Sequence, residues 1–153
     1  RFHEIQAGDV FLLEDQIRVQ TLSGEHPGGS ILYRLEEATQ GAEPASIVYG
    51  LDCELTDAMF QKLKEFAGAC GLLICDACYT EAELLLRHGW GHGSIERCRK
   101  LRQASGAQQA LFMHYERSYQ DTFLREQEKI SLAQDPACLF AREGMVLKVH
   151  GQG

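Results

Sequence analysis

The chain has 153 residues and 44% hydrophobic content, enough for one domain with a real core, which excludes collagen-like, disordered and low-complexity chains. Lys and Arg number 15 against 22 Asp and Glu, a formal charge of −7, the wrong sign for a protein that coats nucleic acid nonspecifically. No apolar run approaches the roughly 18–20 residues of a bilayer span, and Arg1-Phe2-His3-Glu4 carries no signal-peptide core, so the expectation is a cytoplasmic protein without membrane contact.

The first fifty residues alternate with period two in four runs, Asp9 to Leu13, Gln16 to Leu22, Ser30 to Leu35 and Ser46 to Tyr49, which predicts an antiparallel meander. Glu14-Asp15, the Gly-rich Glu25 to Gly29 segment and the polar Glu36 to Pro44 stretch separate the runs as turns or loops. After Asp52 the period becomes helical, with Ala58, Leu63, Phe66 and Ala67 on one face and Thr56 or Asp57 available as cap. Gly71 to Cys75 reads as a buried strand, Glu81 to Arg87 as a helix stopped by Gly89, and Ser94 as the cap of a helix through Ser105. A second buried strand, Ala110 to Met113, precedes a polar helix from about Ser118 to Ala133. Two short strands, Cys138 to Ala141 and Met145 to Val149, then turn at Glu143-Gly144. The fold class expected is α/β (α+β), a mixed sheet with helices on one face, built as a single unit over residues 1–153. Cys53, Cys70, Cys75, Cys78, Cys98 and Cys138 sit mostly inside apolar or helical patterns, which fits reduced thiols acting as small core residues.

Several ligand-type residues fall at strand ends, where this architecture presents functional side chains. His26 precedes a Pro-Gly-Gly turn, while Asp52, Asp76 and His114 each end an apolar run. Carboxylates and imidazoles converging at one sheet edge form the oxygen and nitrogen donor set of zinc, iron or manganese. Each residue alone reads better as a cap or a satisfied polar group; the joint pattern is what points to metal. Within His88-Gly89-Trp90-Gly91-His92-Gly93-Ser94-Ile95, glycines flank His92 and allow turns that fix its ring for proton transfer or ligand orientation.

Five segments carry a resemblance. His26-Pro27-Gly28-Gly29-Ser30-Ile31-Leu32-Tyr33-Arg34, Tyr49-Gly50-Leu51-Asp52-Cys53-Glu54, Asp76-Ala77-Cys78-Tyr79-Thr80, Gly89-Trp90-Gly91-His92-Gly93-Ser94 and Leu111-Phe112-Met113-His114 occur in the order of the later motifs of metallo-β-lactamase-fold hydrolases. The chain is most similar to bacterial members related to transfer-RNA 3′-end-processing endonucleases and phosphodiesterases. The resemblance implies a metal-dependent hydrolase of phosphodiester or related bonds with two divalent ions, zinc first and iron or manganese as alternatives. It implies that His26, Asp52 and His114 are metal ligands, Asp52 bridging both ions, and that His92 assists the leaving group, so that His92 and Asp52 carry the catalysis.

The family signature His-x-His-x-Asp-His is absent, since the six histidines (3, 26, 88, 92, 114 and 150) contain no His-x-His pair. The resemblance therefore implies the C-terminal half of an αββα sandwich, with an apolar outer sheet face. An N-terminal half, from the same protein or a second chain, is the expected partner, and Arg1 in place of Met agrees with a missing upstream half. A homo-oligomer and a phosphodiester or small-molecule substrate are the other partners considered. The competing expectation is a non-catalytic fragment or protein-interaction module with a relic site. A zinc finger from Cys75-x-x-Cys78 and His88-x3-His92 is disfavoured by its spacing and by the glycines around Trp90, and a Cys-x-x-Cys redox site by the absence of a nearby cation. The basic group Arg97, Arg99, Lys100 and Arg102 reads as a solvated helix face.

Overall fold

The computed structural model describes residues 4–37 and 44–151. Strands β1 (Val10–Leu13), β2 (Ile17–Gly24), β3 (Ser30–Glu37) and β4 (Ser46–Gly50) pair antiparallel in chain order. Glu14 and Asp15, both at positive φ, close the first hairpin. Helix α1 (Asp57–Phe66) leads to β5 (Leu72–Asp76), α2 (Glu81–Leu84) and α3 (Ile95–Ser105) lead to β6 (Gln109–Met113), and α4 (Asp121–Gln134) leads to β7 (Cys138–Phe140). From β4 onward the pairing is parallel, so the seven strands lie in sequence order in one mixed sheet. Parallel crossovers of one hand that always step the same way along a sheet place their helices on one face.

That face holds the core. Val48, Leu73, Ala110 and Cys138 form one register row, and Cys75, Phe112 and Phe140 the next, packed with Met59 and Leu63 of α1 and Ile95, Cys98 and Leu101 of α3. Helix α1 starts where the Thr56 side chain accepts the Met59 N–H, and α3 starts at Ser94 and stops at Gly106 in the left-handed region. The opposite face carries the alternate row Tyr33, Tyr49, Ile74, Leu111 and Leu139, apolar across five strands yet only partly covered, with Tyr49 40% exposed.

Four expectations differ from the structure. Met145 to Val149 forms no strand: Val146 is 86% exposed, and the segment runs past Gly71, whose Cα neighbourhood Val149 and the His150 carbonyl line. The helix at Glu81 ends at Leu84, after which the Leu86 and Arg87 N–H groups bond only three residues back, to the Glu83 and Leu84 carbonyls, and Leu85 and Leu86 stand 78% and 85% exposed. The polar helix begins at Asp121, since Ser118 and Tyr119 belong to a turn in which the Tyr119 N–H donates to the Glu116 carbonyl. Of the polar stretch Glu36 to Pro44, Glu36 and Glu37 extend β3 and residues 38–43 lie outside the described residues. All six cysteines are free and buried, and no helix among the described residues is long and apolar enough to cross a membrane.

Candidate metal centre

The C-terminal ends of β4, β5 and β6 lie side by side, and each is followed by one acidic or imidazole side chain. Asp52 and His114 both adopt positive φ, 49° and 65°, a conformation uncommon outside glycine but one that Asp and His enter more readily than most residues. In the Asp52 turn the Ser30 hydroxyl donates to the Asp52 carbonyl at 2.7 Å. Asp76 ends β5 with its carboxyl fully buried. Its Oδ1 accepts the N–H groups of Cys78 and Gly93, at 3.2 and 3.4 Å, and its Oδ2 meets Nδ1 of His92 at 2.9 Å and Nδ1 of His114 at 3.2 Å. A carboxylate only accepts, so both imidazoles carry their proton on Nδ1 and keep Nε2 for other work. Nε2 of His114 stands 3.6 Å from Oδ1 of Asp52.

Two glycines make this approach possible. A Cβ on Gly93 would lie 2.4 Å from the Asp76 carbonyl oxygen, and one on Gly91 would lie 2.3 Å from Cδ2 of His26. Asp52, Asp76, His92 and His114 each offer a ligand-type atom, and these atoms all lie within 4.8 Å of one another. Two carboxylates and two imidazoles fit a divalent cation such as zinc, iron or manganese.

Asp52 and His114 of the expected ligand set are thus brought together, with His92 beside them. His26 is the exception: its ring sits edge-on to His92 at 5.6 Å, outside the four-residue group, and its Nδ1 accepts the Gly28 N–H at 3.2 Å. That bond places the ring proton on Nε2 in the neutral form, so ligation through Nε2 requires the tautomer to change. Asp76, a strand-end candidate in the sequence, is the hub of the site. Glu54, to which the sequence assigns no role, is also buried and reaches the loop that carries His92. The signal for both was an acid set within an apolar stretch, at Ile74-Cys75-Asp76 and at Cys53-Glu54-Leu55.

The alternative sites do not assemble. His88 Nδ1 lies 2.6 Å from Glu54 and His92 is held by Asp76, so neither reaches Cys75 or Cys78. Burial pushes the Cys78 thiol up to about 11, away from redox reactivity. The basic residues of α3 are paired, Arg97 with Asp57 and Glu81, Arg99 and Lys100 with Glu96, and Arg102 with Asp135.

The Asp76 hydrogen bond raises the pKa of His114 above its ordinary value, against the opposing effect of burial and with help from the charges of Asp76 and Asp52. A raised folded-state pKa adds stability that is complete below about pH 6.5 and disappears as pH climbs through the raised value. Metal-free protein is therefore expected to lose part of its stability above about pH 6.5. Denaturant midpoints measured across that window should flatten in His114→Gln; an unchanged slope rules the linkage out. The effect is modest because the ring is 41% exposed.

No family model matches the chain, and no curated protein does. Solved structures match it at probability 1.00. One is the metallo-β-lactamase-fold protein YhfI from Bacillus subtilis, 18% identical, TM-score 0.69, covering 92% of this chain and 53% of its own. Human tRNase Z, short form, is 15% identical with a TM-score of 0.66, covering 92% and 46% respectively. A diphosphatase from the PhnP family is 12% identical with a TM-score of 0.56, covering 98% and 50%. The chain spans about half the length of these proteins. Over that span it has the metallo-β-lactamase fold.

Proposed function

We propose that the chain is the C-terminal half of a metal-dependent hydrolase, acting on phosphodiester or related bonds. The observation that carries the reading is the pair of Nδ1 contacts from one buried carboxylate, Asp76, to His92 and His114. Outer carboxylates of this kind fix the tautomer of metal-binding imidazoles and raise their basicity. Asp52 and His114 would hold the cation through a carboxylate oxygen and Nε2, and a bound ion would supply Lewis acidity toward a phosphoryl oxygen. His92 is the proton donor. In its protonated form, which the Asp76 carboxylate stabilises, it releases the Nε2 proton to the departing oxygen and is left neutral, with the Nδ1 proton still on the ring and donated to Asp76.

The open apolar face and the span of about half a neighbour's length support a second half that packs on this sheet. That half would supply His-x-His-x-Asp-His and complete a centre of two ions, zinc in the first instance, for which His26 would give up its bond to Gly28. Three ligands divided between two ions close neither site. The neighbours named as tRNase Z and as a diphosphatase favour phosphate esters as substrate.

The test is metal content and turnover of the protein with its upstream half present, in the same chain or co-produced. About two equivalents of metal with hydrolysis of bis(p-nitrophenyl) phosphate is the expected result. Absence of metal from the intact protein overturns the enzyme reading in favour of an interaction module.

A further inference from the structure

Glu54 is 4% exposed, and burying a carboxylate is costly unless it collects hydrogen bonds. It collects three. Its side chain accepts the Gly89 N–H at 2.8 Å and the Gly91 N–H at 3.0 Å, and meets Nδ1 of His88 at 2.6 Å. Gly89 and Gly91 both lie at positive φ, 84° and 89°, so the chain curls around the carboxylate and aims its amides inward, a concave nest for an anion. Burial raises the Glu54 pKa while these donors lower it, and the donors prevail.

Asp76 and the Tyr79 N–H hold the His92–Gly93 end of the loop, whereas the Gly89 and Gly91 amides ahead of it are held by Glu54. Leu85, Leu86 and Trp90 are exposed, the last at 59%, so no apolar side chain among them anchors the segment before His92. On its other side Glu54 donates its backbone N–H to the Glu25 carbonyl at 2.8 Å, and the Thr56 hydroxyl reaches the Glu25 carboxylate at 2.5 Å. Glu25 precedes His26, and Gly91 packs directly on the His26 ring.

We propose that Glu54 is a positioning residue, a clamp that fixes the His88–Gly93 loop against the His26 turn and so sets where the His92 and His26 rings stand. The carboxylate touches neither ring; it acts through Gly89 and Gly91, while the backbone N–H of the same residue ties it to Glu25. The consequence for metal rests on the function proposed above, whereas the clamp itself does not.

The test compares wild type with Glu54→Gln and Glu54→Asp by amide hydrogen exchange, by ¹⁵N spectra of the His92 and His26 rings, and by titration with Zn²⁺ alone. In Glu54→Gln one oxygen remains for three donors, so Gly89 and Gly91 should exchange roughly tenfold faster or more, while α1 and β5 amides keep their rates. The two rings should lose their fixed signals, and Zn²⁺ affinity should fall about tenfold. Glu54→Asp retains the charge and should recover part of each effect. Unchanged exchange at Gly89 and Gly91, or acceleration equally spread over α1 and β5, overturns the clamp. If Glu54→Gln does not fold, Glu54→Asp decides the same comparison. Should wild type with its upstream half present bind no Zn²⁺, the function reading fails while the exchange rates still decide the clamp.

Discussion

Replacing Asp76 by Asn should weaken Zn²⁺ binding by about 10–100-fold or more while leaving the fold in place. The argument is one of proton placement. In Asp76→Asn the amide oxygen can continue to accept the Cys78 and Gly93 N–H groups, which keeps the β5 end and the Gly93 turn together. The amide nitrogen then occupies the position of Oδ2, where it faces Nδ1 of His92 and His114 and can only donate. Both imidazoles must answer by accepting at Nδ1, which moves their protons to Nε2 and removes the lone pair that would reach a metal. Calorimetric titration with Zn²⁺ measures the loss, and ring ¹⁵N shifts report the tautomers. Wild-type affinity in Asp76→Asn would falsify the hub. Asp76→Ala is the harsher change, since it also strands two buried N–H donors at roughly 1–3 kcal/mol each.

Much of this arrangement is legible in the sequence. Period-two runs mark the meander, and the apolar stretches Leu72-Leu73-Ile74-Cys75 and Ala110-Leu111-Phe112-Met113 mark buried strands, whose parallel pairing the structure supplies. Asp52, His92 and His114 were legible from motif order, and they meet because neighbouring parallel strands present their C-terminal ends at one edge. Asp76 was visible as a strand end, yet its bond to two rings depends on the Gly93 turn and on positive φ at His114, which no local pattern encodes. Glu54 was hidden for a related reason: its partners are backbone N–H groups 35 and 37 residues away, and amides carry no sequence signature. The final strand failed in the other direction. Met145 to Val149 has apolar content for a strand, but content supplies no pairing partner, and Val146 points to solvent.

Asp52 and His92 should separate by what their removal costs, and the contrast is the sharpest measurement of mechanism this site permits. Asp52 sits on an exposed turn with its carboxylate facing Nε2 of His114, so Asp52→Ala deletes a ligand atom and should strip metal from the protein, from both positions if it bridges two ions. His92 has its Nδ1 committed to Asp76 and its ring beside His114 at 5.0 Å. Its removal leaves the Asp52 and His114 pair facing one another. His92→Ala should therefore keep metal content and reduce hydrolysis by the intact protein about 10²–10⁴-fold, the usual worth of a positioned proton donor. The loss should shrink for a substrate with a good leaving group such as p-nitrophenolate, which needs no proton, and grow for an alkyl ester, which does. Equal losses on both substrates would make His92 a ligand rather than an acid, and metal analysis of the same samples would then read below wild type. A cysteine site predicts the reverse of all this, with metal kept in Asp52→Ala and lost in Cys75→Ser; Cys75 is buried and is not among the four residues whose ligand-type atoms converge.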